Sequence, residues 1–158
     1  MSKQTRGIRN CNPGNIRKGC NWKGLRKTQT DKEFCQFTTM SWGLRALCVT
    51  LRTYITKRKC ISVSKIINRW APPSDHNNTR EYIKTVAIDV GKRLRPELNS
   101  VYELEEVGLN YEFSSSDLFT DDKGVVSKPF FALVKTICWV ESQYMLDEDT
   151  LWFAMLLM

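Results

Sequence analysis

Hydrophobic positions recur at helical intervals over most of the chain. From about Ser41, the residues Leu44, Leu47, Cys48, Leu51 and Ile55 follow an i, i+3, i+4 spacing while Arg45, Arg52 and Lys57 fall on other faces, which predicts an amphipathic helix. Ile61, Ile66, Ile67 and Trp70 mark a shorter helix that must stop before Pro72-Pro73, because a residue preceding proline is pushed out of the helical region. Asn78, with Glu81 three residues on, reads as an N-cap and its capping partner. Tyr82, Ile83, Val86, Ala87 and Val90 then supply the buried face of a helix that Gly91 is placed to close. A short helix is expected over Val101–Val107, followed by a surface excursion rich in Ser and Asp whose acidic clusters read as solvated faces. Ser127 can cap a further helix that tolerates Pro129 in its first turn. Its apolar face runs through Phe130, Val134, Ile137 and Cys138 toward Glu141, and it finishes near Ser142-Gln143-Tyr144. The last helix, Thr150 to Leu157, is apolar nearly all round but about half the length of a membrane span, so it is expected to be buried packing.

The first forty residues do not follow this pattern. Asn21-Trp-Lys-Gly24 and Glu33-Phe-Cys-Gln-Phe37 flank the polar run Lys27–Lys32, and Trp22, Phe34 and Phe37 predict two short strands joined as a hairpin. Before it, the stretch Arg6–Arg17 packs three Asn, three Arg and a Pro-Gly turn into twelve residues, with only Ile8 and Ile16 large and apolar. Pro13 fixes φ at one central position of the turn and Gly14 is expected to supply φ > 0 at the next. Asn10, Asn12 and Asn15 surround it with amides, each an acceptor and two donors, which suits either a capped loop or a binding surface. No repeat, low-complexity tract or linker divides the chain. The expected fold class is therefore α+β, mainly helical, as one domain over residues 1–158.

Charge narrows the partners without choosing one. A formal net charge of +7 favours a polyanion, which could be nucleic acid, an anionic membrane or an anionic wall polymer. Six cysteines would suit three disulfides in a secreted chain, but Met1 to Asn12 is polar and basic with no apolar signal region. Cys48 and Cys138 fall on apolar helix faces, where thiols act as small hydrophobes. Reduced cysteines and synthesis in the cytoplasm without a signal peptide are expected, with later release or packaging in a particle left open. With no Cys-x-x-Cys and one histidine, His76, in a loop, no metal or cofactor is expected.

Glu141 carries the candidate chemistry. It ends an apolar helix beside Trp139 and Tyr144, where a desolvated carboxyl and the negative helix terminus both raise its pKa toward that of a proton donor near neutrality. A helix-end Glu pointing to water is the alternative, and spacing does not decide between them.

The run Arg6–Arg17, Trp22-x-Gly24, Phe34-x-x-Phe37, Gly43-Leu-Arg-Ala46 and Arg69-Trp-Ala-Pro-Pro73 with Asn77-Asn-Thr and Tyr82-Ile resemble a family of phage and prophage proteins taken as virion-associated or secreted peptidoglycan-degrading proteins. The resemblance covers residues 6–90 and is weaker beyond, where it retains a late helix ending in Glu141-Ser142. It implies a lysozyme-like domain with a small β-hairpin lobe, circularly permuted because the hairpin comes first and the helix-ending Glu last. Glu141 would protonate the glycosidic oxygen, Asp31 would be the second carboxylate, and the two would act across a cleft facing the Asn-Pro-Gly-Asn loop. Without a second carboxylate, a lytic transglycosylase is the variant. Arg9, Asn10, Asn12, Asn15, Arg17, Trp22 and Tyr144 would bind substrate, peptidoglycan glycan strands would be the partner, and other virion proteins could join them. Two departures stand out, since relatives carry Glu at the place of His76 and Gly at the place of Gln143. A non-catalytic virion or glycan-binding protein is the alternative. A nucleic-acid binder is less favoured, because the basic segment Arg52–Arg58 matches no recognised binding motif.

Overall fold

The computed structural model describes residues 3–158. Among them are seven α-helices: α1 (Arg6–Arg9), α2 (Met40–Thr56), α3 (Val63–Trp70), α4 (Thr79–Leu94), α5 (Val101–Asn110), α6 (Lys128–Ser142) and α7 (Glu148–Leu156). Single 3-10 turns lie at Pro73–Asp75 and Ser115–Leu118. Helix starts follow local chemistry, since the side chains of Thr39, Ser62, Asn78, Ser100, Ser127 and Asp147 each accept a hydrogen bond from a backbone N–H in the first turn they precede.

Helix α6 is the centre of the molecule. Phe130, Phe131, Ala132, Leu133, Val134, Ile137 and Cys138 are all buried, so the helix is covered on most sides rather than along one stripe. It packs on α4, and α7 packs on α2, whose Leu44, Leu47, Cys48 and Leu51 are wholly buried. Helix α7 is only partly covered: Leu151, Ala154 and Met155 face the core, but Phe153 and Leu156 are exposed, which corrects the expectation of a fully buried helix.

Gly91 does not end its helix. A Cβ there would lie 2.0 Å from the Leu104 carbonyl oxygen, and one at Gly108 would lie 1.8 Å from that of Ala87, so the two glycines let the backbones of α4 and α5 cross in contact. Helix α4 runs on to Leu94 and stops one residue before Pro96. Asp117 departs from its acidic neighbours: it is buried, accepting hydrogen bonds from Tyr111 Oη at 2.8 Å, Ser127 Oγ at 2.6 Å and the Ser114 N–H at 3.0 Å.

The predicted hairpin is absent among the described residues. Two isolated antiparallel bridges, Arg17 with Phe34 and Leu25 with Phe37, stand where a ladder was expected, so the fold is mainly helical with no strand lobe. Side-chain amides take the place of the ladder. Asn12 Oδ1 accepts from the Ile16 N–H at 2.9 Å, its Nδ2 donates to the carbonyls of Ile16 and Cys35 at 2.9 Å each, and Gln29 Oε1 accepts from the Gln36 N–H at 2.8 Å. Such bonds offer the backbone an alternative to sheet pairing, which brief apolar alternation does not reveal.

Among the described residues, no helix is long and apolar enough to cross a membrane. The six cysteines are unpaired thiols.

Candidate active site

The C-terminal end of α6 is built from both ends of the chain. Gln143 follows the helix in the left-handed region at φ 53°, with its N–H bonded to the Trp139 carbonyl at 2.9 Å, an αL ending, and the Tyr144 N–H bonds the Cys138 carbonyl at 3.3 Å. The last carbonyls of a helix have no partner within it. Here side chains from the N-terminal segment supply them: Thr5 Oγ1 donates to the Ser142 carbonyl at 2.5 Å, and Asn15 Nδ2 donates to the Glu141 carbonyl at 2.9 Å. Ser142 Oγ in turn donates to the Pro13 carbonyl at 2.8 Å. The Asn-Pro-Gly-Asn loop therefore abuts the end of α6 directly, and its Gly14 and Asn15 line the same cleft as Glu141.

The loop's turn differs from its expectation in one respect. Asn15, not Gly14, takes the left-handed conformation, at φ 50°. Gly14 is there for space, since a Cβ would meet the side chains of Leu47 and Trp70 at 3.3 Å.

Glu141 presents its carboxyl to α4 and α3. Tyr82 Oη donates to Glu141 Oε2 at 3.0 Å, and Trp70 Nε1 donates to Tyr82 Oη at 3.2 Å. Burial raises the Glu141 pKa above the usual carboxylate value, and the hydrogen bond from Tyr82, with the N–H groups of Trp70 and Asn15 nearby and the positive charge of Arg17, offsets part of that rise. Burial and the neighbouring Glu141 push the Tyr82 phenol up, so it remains a donor.

Glu141 opens into a cleft of about 300 Å³ whose aromatic walls are Phe34, Tyr54 and Trp70. Asn15, Arg17, Asp75 and Asn77 supply its polar lining. On the other side of Glu141 lies a second recess of about 390 Å³, bordered by His76, Asn78, Thr85 and Val140 and sharing Asn77 and Glu141 with the first. The carboxyl thus sits where two recesses meet. Two of the non-glycine residues with positive φ, Asn15 and His76, border this region, and such strained conformations collect at functional sites.

Of the residues expected from the sequence, Glu141, Asn15 and Arg17 line the cleft. Asp31 does not. Its carboxylate accepts from Arg6 Nε at 2.7 Å, Arg6 Nη2 at 2.6 Å, Asn10 Nδ2 at 2.9 Å, and the N–H groups of Glu33 and Phe34 at 2.9 Å each. The hydrogen-bonded Arg6 guanidinium holds the Asp31 carboxyl far below the usual range, so it is a structural clamp with no proton to exchange near neutrality. Asn10 and Asn12 are buried in the same framework and have no free amide for a ligand. Arg9 lies outside the cleft lining, donating to the Gln4 carbonyl at 2.6 Å. Trp22 and Tyr144 pack against the core, also outside the lining.

Six contributors were not singled out as site residues: Phe34, Tyr54, Trp70, Tyr82, Asp75 and Asn77. Phe34 read as strand, and Trp70 and Tyr82 as core faces of their helices. Only the convergence of α2, α3, α4 and α6 shows that their polar and aromatic edges meet one carboxyl.

No protein-family model matches the chain. The chain is similar to Protein P5 of Pseudoalteromonas phage PM2, with 38% identity over 103 residues that make up 63% of this chain and 64% of that protein. It is therefore a phage-related protein, and it spans less than two thirds of the length of that relative.

Proposed function

We propose that this protein is a phage-related peptidoglycan-degrading glycosidase, lysozyme-like in its use of a helix-terminal glutamate as general acid. The observation that carries the reading is Glu141: a carboxyl raised by burial, held by the Tyr82 hydroxyl at 3.0 Å, and open to a cleft walled by Phe34, Tyr54 and Trp70. Aromatic faces stack on the apolar faces of sugar rings, Asn15 and Asn77 can bond hydroxyl and acetamido groups, and a protonated Glu141 can deliver its proton to the glycosidic oxygen. The place given to Asp31 passes to Asp75, an exposed carboxylate in the same cleft, which would activate water or steady the oxocarbenium-like state. If Asp75 is dispensable, closure of an anhydro ring by a lytic transglycosylase is the form the chemistry takes. Glycan strands are the partner in this reading, and association with the virion or release to the wall is its setting.

A zymogram with purified peptidoglycan tests it. The wild-type protein is expected to clear the gel and Glu141→Gln is not. Clearing by both would remove Glu141 from the mechanism, and clearing by neither would leave a glycan-binding or virion structural protein.

A further inference from the structure

Five arginines lie over aromatic rings: Arg6 and Arg17 over Phe34, with Cζ 4.5 and 4.9 Å from the centroid, Arg45 over Trp42 at 6.0 Å, Arg69 over Tyr54 at 5.3 Å, and Arg93 over Phe131 at 4.6 Å. Three of them use their N–H donors inside the protein. Arg6 is paired with Asp31 and Glu33, Arg93 with Glu148, and Arg45 donates to the Leu157 carbonyl at 2.9 Å. Among the described residues, Arg17 and Arg69 alone of the five make no ion pair and donate no side-chain hydrogen bond. Both are exposed, and the rings that seat them, Phe34 and Tyr54, are walls of the cleft beside Glu141.

A guanidinium resting on a ring has fewer orientations to lose when it binds, and its planar fork matches a carboxylate with two parallel hydrogen bonds. Arg17 itself lines the cleft and Arg69 stands over the ring of its Tyr54 wall, and neither cation has a structural role visible in its contacts. We propose that Arg17 and Arg69 read carboxylate substituents on the bound glycan, making the cleft selective for acidic saccharide chains over neutral ones of the same backbone. This rests on the reading of the cleft as a glycan site. The acidic groups in question project from the sugar rings toward the two guanidinium groups, while the rings themselves lie against Trp70, the cleft aromatic that carries no arginine. Asp75 alone would repel such a chain, and the two guanidinium groups offset that repulsion.

The test uses a disaccharide of N-acetylglucosamine and N-acetylmuramic acid with its lactyl carboxyl free, and the same disaccharide with that carboxyl amidated. Binding is measured by calorimetry at low ionic strength on the full chain, for wild type, Arg17→Ala/Arg69→Ala and Arg17→Lys/Arg69→Lys. Wild type is expected to bind the acid about tenfold more tightly than the amide, which is about 1.4 kcal/mol. The double alanine variant should bind both alike, at the affinity of wild type for the amide, and the lysine variant should fall between. Because both arginines are exposed and bond to nothing within the protein, unchanged melting temperatures are expected. A wild type that binds the two forms equally or binds neither, or an alanine variant that still discriminates, overturns the proposal. Its failure is distinguishable from that of the glycosidase reading: acid-selective binding without cleavage removes only the enzyme, and cleavage without selectivity removes only the arginine filter.

Discussion

Glu141→Gln tests catalysis and stability through one carboxyl. The replacement keeps the side-chain shape and leaves an amide oxygen to accept the Tyr82 hydroxyl that now lies 3.0 Å from Glu141 Oε2. What it removes is the exchangeable proton, and loss of a positioned general acid lowers turnover about 10²- to 10⁴-fold. The stability effect has the opposite sign. Burial raises the folded pKa of Glu141 above its unfolded value, so its contribution is fully present below the unfolded value of about 4.3 and is lost as pH rises through the folded one. Above that, the folded protein holds a partly desolvated anion, at about 1.4 kcal/mol for each unit of the rise. A neutral glutamine escapes this, so the variant should melt higher than wild type at pH 7, with the gap closing as pH falls toward 4. Wild-type activity should decline as pH rises through the same raised pKa, because only the protonated form donates. Turbidity clearing of purified peptidoglycan and calorimetric melting, each from pH 4 to 8, read both effects. A variant that clears as fast as wild type, or that is less stable at pH 7 than at pH 4 relative to wild type, would refute the reasoning.

Other substitutions separate framework from site. Asp31→Asn should lower stability by about 2 kcal/mol, since an amide cannot satisfy Arg6, Asn10 and two backbone N–H groups together. That corresponds to a melting drop of about 4–8 °C in a chain of this size, and the part due to Asp31 ionisation should fade as pH falls below about 4, where the unfolded carboxyl takes up its proton. Gly43→Ala should destabilise by about 1–3 kcal/mol, measured by urea unfolding, because its Cβ would stand 1.9 Å from the Cys11 carbonyl oxygen and push the N-terminal loop off α2. Gln143→Gly should raise stability by up to about 1 kcal/mol, since glycine holds φ 53° without steric strain, and should leave clearing unchanged because the turn is already formed.

Much of the helical framework was legible along the chain, and the N-terminal part was not. Leu44 to Ile55 and Phe130 to Cys138 declare their helices because an apolar stripe at a 3.6-residue interval falls on one face of a helix and on neither face of a strand. Asn78, Ser127 and the Pro72-Pro73 pair set boundaries by chemistry confined to one turn. Gly91 misled because a glycine placed for close helix contact and one placed to end a helix look alike in sequence, and only the position of Leu104 distinguishes them. The expected hairpin failed for a related reason: Asn12 and Gln29 bind the backbone groups that a ladder would have used, and a side-chain amide carries no mark of its partner. The site was half legible. Glu141 could be chosen as a desolvated helix-end acid, but Asp31 and Asp75 are both loop carboxylates, and what separates a clamp from a cleft group is the Arg6 guanidinium beside one of them.

Sequence alone determined the helices from α2 onward, the Asn78 and Ser127 caps, the positive charge and an acid at the end of an apolar helix, because each depends on residues within a turn or two of one another. Tertiary structure decided that Thr5 and Asn15 complete the end of α6, that Tyr82 and Trp70 hold its carboxyl, and that Arg17 and Arg69 are the aromatic-seated arginines left with free donors. These contacts join residues up to 137 positions apart. Their energies depend on burial and on which partner arrives, and neither quantity exists until the chain has closed on itself.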